Sequence, residues 1–249
     1  MKKILGLSLL LALVGCKESD LTKENPEPDP SNVVVATSFI YGDEGIMKDS
    51  IRMNSLGQRY IIEDIKMVWS ELYFSYKGDT VIYDDRSVIT TLSEPIAPAM
   101  TMPPGGYSGN FGLTFGVDSL ASWNLIQPSK TGVEELVSNG LYRNDGFGVN
   151  QLVITGRLFD PTNVDDSTGT IPLSYNIGTY FIARDLIGVN QNFSVGLTNK
   201  MKIILQVDFE EALEDFNFFN TPTLNSTFTD PTDFALSKEM ADKVEIDIF

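Results

Sequence analysis

Oxygen donors of the kind that bind Ca²⁺ lie close together in one short stretch, DPTNVDDSTG. Asp160, Asn163, Asp165 and Asp166 supply carboxylate and amide oxygens there, and Ca²⁺ takes about six to eight such ligands. Their spacing differs from that of the EF-hand calcium loop, which closes with a bidentate Glu. We therefore interpret the stretch as a solvated turn, keep these residues as the candidate calcium site, and expect no other cofactor.

Acid–base and nucleophilic chemistry has few residues to draw on. The chain has no histidine and a single cysteine, which excludes Ser-His-Asp, Cys-His and histidine-zinc sites. Paired carboxylates, the groups that glycoside hydrolases use, remain. They occur at 84–85, 165–166 and 210–215, but 34 acidic residues give such pairs by chance. We expect no enzyme, and a carboxylate-dependent glycoside hydrolase is a distant alternative.

Aromatic residues outside the strands are the candidates for ligand contact. We select Trp123 and Tyr142 as candidate ligand-binding residues. Flat sugar faces pack on aromatic rings, so the partner that these two residues indicate is a glycan. Trp69 and Tyr107 lie within predicted strands, and we interpret them as core residues.

The N-terminus predicts export and lipid attachment. Lys2 and Lys3 precede an apolar run at 4–14, which is shorter than the roughly 20 apolar residues that span a bilayer. The run ends in LVGC at 13–16, which resembles the lipobox of bacterial lipoproteins. That resemblance implies cleavage of a signal peptide, residues 1–15, and acylation of Cys16, which makes the membrane a partner through the lipid.

The residues after Cys16 predict a tether. Residues 17–32, KESDLTKENPEPDPSN, alternate proline with polar residues and show no apolar period, as in extended, solvated linkers. The acidic start resembles export signals of Gram-negative lipoproteins, so we expect the outer membrane and leave open whether the protein faces the periplasm or the cell surface. A net charge of −16 argues against nucleic acid as a partner.

From residue 33 onward the pattern is mainly that of strands separated by Pro, Gly, Asn and Asp clusters. It predicts one domain over 33–249, all-β, an antiparallel β-sandwich with a few short helices. The candidate strands are 33–41, 60–70, 72–76, 81–83, 87–92, 107–117, 150–159, 174–183, 192–197 and 202–208. The candidate helices are 119–125, 130–139, 209–216 and 233–243, the last beginning after Thr232.

The glycine-rich stretch PPGGYSGNFGLTFG at 103–116 is a turn leading into a strand. A phosphate loop needs a following helix and a cation, whereas here Tyr107 to Val117 alternate with the period of a strand. Gly112 and Gly116 predict another backbone segment packed closely against the strand, or a bulge.

A series of short motifs occurs in order along the chain: GQRY at 57–60, IKMVWS at 65–70, LYF at 72–74, PGGY at 104–107, FGVD at 115–118 with Asn124, GLYR at 140–143, GF at 146–147 and NIGT at 176–179. This series resembles the exported proteins related to MbnP, the periplasmic partner in methanobactin copper cassettes. Members of that group bind copper through imidazole and a modified tryptophan. The matching positions here hold Asn176 and Arg143, so the resemblance implies the fold and no copper site.

These observations predict an outer-membrane-anchored lipoprotein that is a non-enzymatic binding or assembly component of the cell envelope, MbnP-like without the copper site. Its expected partners are the membrane and either envelope proteins or glycans. A surface glycan-binding lipoprotein is the alternative.

Overall fold

The structure is a computed structural model that describes residues 31–76, 79–84, 87–117, 133–143, 148–163, 166–178, 182–196, 200–226 and 230–249. The predicted signal peptide, Cys16, most of the predicted tether and the predicted helix 119–125 lie outside these residues. The strands are β1 Val33–Tyr41, β2 Glu44–Gly45, β3 Ile51–Met53, β4 Arg59–Tyr76, β5 Asp79–Asp84, β6 Val88–Thr91, β7 Ile96–Met100, β8 Gly105–Phe115, β9 Asn150–Leu158, β10 Ile171–Gly178, β11 Arg184–Ile187, β12 Gln191–Val195, β13 Met201–Asp208, β14 Thr223–Asn225 and β15 Glu245–Ile248. The helices are α1 Val133–Ser138, α2 Glu210–Leu213 and α3 Pro231–Lys243.

Within the described residues, these strands form a five-stranded and a ten-stranded sheet. The smaller sheet has the order β15-β13-β1-β2, and β7 also pairs with β1. The larger has the order β11-β8-β4-β9-β10-β14, with β3, β5 and β6 on β4 and β12 on β8. The predicted all-β, sandwich-like fold with few short helices is confirmed.

The sheets are mixed, whereas the sequence predicted antiparallel pairing throughout. The parallel pairs are β1 with β13 and β10 with β14. Each joins strands that are far apart in the sequence, so no short turn forces them to run in opposite directions. The antiparallel prediction assumed pairing between consecutive strands, which holds for the hairpin of β4 and β5.

β4 is one long strand where the sequence predicted two pieces. Its pairing with β8 shifts register between Ser70 and Tyr73, and Glu71 within that shift has φ +52°. A Cβ on Gly112 would lie 2.1 Å from Cζ of Tyr73, so the close neighbour at Gly112 is a side chain, and the pairing irregularity beside it agrees with the predicted bulge. Gly116 has φ +85°, a conformation that favours glycine.

The main core lies between the two sheets, and a chain of side-chain hydrogen bonds crosses it. Trp69 of β4 is fully buried, as predicted. Its Nε1 donates to Oγ1 of Thr90 over 2.8 Å, and Thr90 Oγ1 lies 2.9 Å from Oγ1 of Thr37. Thr37 belongs to β1 in the smaller sheet and Thr90 to β6 in the larger, so the buried hydroxyls join the two layers.

A second apolar cluster covers the other face of the larger sheet. It consists of Val68, Ile89, Val117, Leu136, Leu141, Val149 and Val153. α1 contributes Leu136, and Lys66 fixes the end of this segment by donating to the carbonyl of Asn139 over 2.9 Å.

The predicted bounds of the last helix are wrong at its start. The helix begins at Pro231 with Asp230 as N-cap, whose carboxylate accepts the N–H groups of Thr232 and Asp233 over 3.0 and 3.2 Å. Proline suits the first helical position because it has no N–H to satisfy. Among the described residues, no helix has the length and apolar composition that crossing a membrane requires.

Candidate functional site

The two positions that the MbnP resemblance matches to copper ligands, Arg143 and Asn176, are each hydrogen-bonded to Ser226. The guanidinium of Arg143 donates a hydrogen bond to the backbone carbonyl of Ser226. The N–H of Ser226 in turn donates to the carbonyl of Asn176 over 3.0 Å. Residues 143 and 176 are distant in the sequence, and they share a fully buried neighbour, Ser226.

Further hydrogen bonds hold these groups together as the Ser226 cluster, defined as Arg143, Asn150, Asn176, Asn225 and Ser226. Nδ2 of Asn176 donates to Oδ1 of Asn225 over 2.8 Å. Nη1 of Arg143 also donates to Oδ1 of Asn150 over 3.4 Å. The cluster therefore combines one guanidinium with three carboxamides, groups that are suited to hydrogen bonding with each other and with neutral or anionic molecules.

Strand pairing and one turn position the Ser226 cluster. Parallel pairing of β10 with β14 places Asn176 opposite Asn225. Tyr142 forms a β-bridge with Val149, which brings Arg143 close to the start of β9. Ser226 is the residue that follows β14. Its Oγ accepts the N–H of Gly178 over 3.0 Å, which holds this residue against the end of β10.

The candidate calcium residues that the structure describes form a closed loop. The carboxylate of Asp166 is buried and accepts the N–H groups of Asp160 and Gly169 over 2.9 Å each and that of Thr168 over 3.2 Å. Oδ1 of Asp160 accepts the N–H and hydroxyl of Thr162 over 2.8 and 2.7 Å.

These donors set the charge state of the loop. The N–H of Asp160, followed by those of Thr168 and Gly169, lowers the pKa of Asp166 below its ordinary value. The hydroxyl and N–H of Thr162 lower the pKa of Asp160.

Asn163 donates its N–H to the carbonyl of Asp160 over 3.2 Å, and Asp165 lies outside the described residues. In the described part of the chain, no three Cys, Asp or Glu side chains converge as a metal site.

Of the two predicted ligand-binding aromatics, the described residues include Tyr142 but not Trp123. Tyr142 is half-buried and packs against the second apolar cluster, so part of its ring contributes to packing.

Sequence reasoning missed an open cleft of about 560 Å³ at one end of the larger sheet. We call it the aromatic cleft; it is lined by Phe74, Tyr76, Gly106, Tyr107, Ser108 and Phe193. Tyr107 was predicted to fill the core, but it is half-buried and forms a wall of this cleft. The alternation of β8 correctly pointed its side chain inward, but alternation carries no information on whether an opposing layer covers the ring.

A smaller cleft of about 270 Å³ lies between the segment after α2 and α3. Asp215, Glu239 and Lys243 are among its lining residues. Nζ of Lys243 contacts Oε1 of Glu239 at 2.9 Å, and this bond raises the pKa of the lysine. Asp215 accepts the hydroxyl of Ser55 over 2.6 Å. These carboxylates thus each have a partner within the protein.

Comparison with known proteins supports the fold alone. No protein-family profile matches the chain, and no curated protein matches its sequence. The solved structure of MbnP from Methylosinus trichosporium is similar, with a TM-score of 0.50 at 10% sequence identity, over 87% of this chain and 98% of that chain. The chain therefore shares an MbnP-like fold.

Proposed function

We propose that this protein is a non-enzymatic binding or assembly component of the bacterial cell envelope, related to MbnP-like proteins but without their copper site. The observation that carries the proposal is the Ser226 cluster, in which Arg143 and Asn176 occupy the positions matched to copper ligands. A guanidinium has no lone pair to give to a metal, and copper favours imidazole or sulfur ligands. Hydrogen bonds take the place that metal coordination would have there.

The proposal includes export and lipid anchoring at Cys16 to the outer membrane. It is supported by the order of charge, apolar run and cysteine at 1–16. It also includes the division into a signal peptide, a tether over 16–32 and one β-sandwich domain over 33–249.

The proposal of a non-enzymatic role is supported by the carboxylates near the smaller cleft. A glycoside hydrolase needs one protonated carboxylic acid with a raised pKa and a second carboxylate across the scissile bond. Asp215 accepts the hydroxyl of Ser55, and Glu239 is paired with Lys243, so both carboxylates are engaged by neighbouring side chains of the protein. We propose glycan capture only as the alternative, because part of the Tyr142 ring is engaged in packing against the second apolar cluster.

Copper loading tests the central element of the proposal. The full-length chain is incubated with Cu(I) or Cu(II), desalted, and assayed for copper per chain. We expect no stoichiometric copper in the wild type or in Asn176→Ala. Stoichiometric copper that Asn176→Ala abolishes and the exposed control Asn192→Ala retains would overturn the proposal.

Metabolic labelling tests the anchor separately. Labelled palmitate should enter the wild-type chain, and Cys16→Ser should lose both the label and membrane fractionation. An unlabelled exported product would contradict lipid anchoring while leaving the copper result unaffected.

A further inference from the structure

We infer that the aromatic cleft binds a small uncharged molecule that carries a flat apolar ring. This inference goes beyond the proposed function and does not depend on it, since the cleft shares no residue with the Ser226 cluster or with the N-terminal anchor. It rests on the geometry of four aromatic side chains, on the absence of charge among the described lining residues, and on the size of the cleft.

The ring geometry of the cleft continues the packing that aromatic side chains prefer. Tyr107 and Phe193 face each other across β8 and β12, with near-parallel rings, 15° apart in plane and 5.4 Å between centroids. The ring of Phe74 meets Tyr107 and Phe193 edge-on, at 83° and 88°. Stacked and edge-to-face arrangements with centroids about 4.5–7 Å apart are the favoured ones. These rings already pack on one another, so a flat ring that enters the cleft would extend the aromatic cluster on its solvent-facing side.

The cleft is open to solvent and has a closed floor. Phe74 is only 2% exposed and forms the floor, whereas Tyr76 at the end of β4 is 46% exposed. Gly106, a lining residue near the start of β8, has no side chain to fill the space. A ligand in the cleft would therefore remove aromatic surface from water, which is favourable at about 25 cal/mol per Å².

Charge and polarity select the class of ligand. The described residues that line the cleft are uncharged, in a chain whose net charge is −16, so a charged ligand finds no ionic partner among them, and the net charge repels an anion. The hydroxyl of Tyr107 already donates to the carbonyl of Pro103 over 2.6 Å. Sugars need several hydrogen-bond partners, and this cleft offers mainly ring surface, so an apolar ring fits better than a glycan.

Size distinguishes a small molecule from a protein partner. Pockets for small molecules have volumes of about 300–1,000 Å³ with mostly apolar and aromatic lining, and the cleft of about 560 Å³ lies within that range. A stable protein interface buries about 800 Å² on each partner, far more surface than six lining residues provide. The occupant that fits is thus a single small molecule.

The test measures binding of N-phenyl-1-naphthylamine, a neutral fluorescent ring compound, to the full-length chain. A Cβ on Gly105 would lie 3.7 Å from Cε2 of Tyr107, in ordinary contact, so Gly105→Leu adds a side chain beside the Tyr107 wall of the cleft. Gly45→Leu is the matched control, because no heavy atom lies within 4 Å of its Cβ position. Both variants are checked for unchanged thermal unfolding.

We expect saturable binding to the wild type and to Gly45→Leu, and binding at least about tenfold weaker in Gly105→Leu, as expected when one desolvated contact worth about 1.4 kcal/mol is lost. Phe193→Ala, which enlarges the cleft, should also weaken binding. Equal binding to all variants would overturn the inference, as would no saturable binding to the wild type. Binding of neutral maltohexaose that Gly105→Leu abolishes, without binding of the ring compound, would overturn it in favour of a glycan.

Discussion

Replacement of Thr90 by valine should remove the hydrogen bonds that link the two sheets and lower the free energy of unfolding. Thr90 accepts a hydrogen bond from the indole N–H of Trp69 and shares a second with the hydroxyl of Thr37. Valine has the shape of threonine without the hydroxyl, so the change removes both bonds and leaves the packing in place. Thr90→Ser keeps the oxygen and removes only the methyl group.

The expected cost follows from burial of the partners. Trp69 is 0% and Thr37 5% exposed, so water cannot replace the lost acceptor for the indole N–H. A buried polar group left without a partner costs about 1–3 kcal/mol. We expect Thr90→Val to lower the free energy of unfolding by about 2–3 kcal/mol, and Thr90→Ser by about 1 kcal/mol for the lost methyl.

Urea unfolding followed by circular dichroism, which does not depend on Trp69, measures both values, with a constant m-value as the check on two-state behaviour. A double-mutant cycle with Trp69→Phe should show coupling of about 1 kcal/mol, because the phenylalanine leaves no orphaned donor. The reasoning is refuted if Thr90→Val costs less than Thr90→Ser, or if its cost is unchanged in the Trp69→Phe background.

Asp166→Asn should lower the thermal unfolding midpoint more at pH 7 than at pH 3. The pKa of Asp166 is lowered from 3.8 in the folded protein, so its stabilising effect is complete above 3.8 and is lost as the pH falls from there through the lower folded pKa. Equal effects at both pH values would contradict this. Gly112→Ala should destabilise by about 1–3 kcal/mol through overpacking against Tyr73, while Gly45→Ala should stay within about 0.5 kcal/mol of the wild type. Chemical denaturation measures the second pair, and a neutral Gly112→Ala would show that Tyr73 moves freely.

Long strands with strong patterns could be predicted from the sequence, and short edge strands could not. The run of β-branched and aromatic residues in β1 gave its bounds, Val33–Tyr41, without error. β2 and β3 have two and three residues, too few to show a period of two. β11, Arg184–Ile187, begins with charged residues, and only its pairing with β8 makes it a strand.

The candidate site could be predicted only in part, for a related reason. The motif order pointed to Arg143 and Asn176, but their shared neighbour Ser226 is a third segment that no spacing rule connects to them. The bonding within the Asp166 loop depends on the directions of backbone N–H groups, which the residue types alone do not fix. Asp160 and Asp166 therefore looked like metal ligands in the sequence, whereas each carboxylate accepts hydrogen bonds in the fold.

The aromatic cleft is a consequence of unequal strand lengths. β4 has 18 residues and β1 has nine, which at about 3.3 Å per residue correspond to about 60 and 30 Å. The smaller sheet is therefore too short to cover the inner face of β4 along its whole length. At one end, Phe218 packs on Tyr60 with 4.8 Å between ring centroids, so a segment outside the sheets provides the cover. At the other end, the rings that meet Phe74 come from β8 and β12 of its own sheet, and an aromatic surface stays accessible to a ligand.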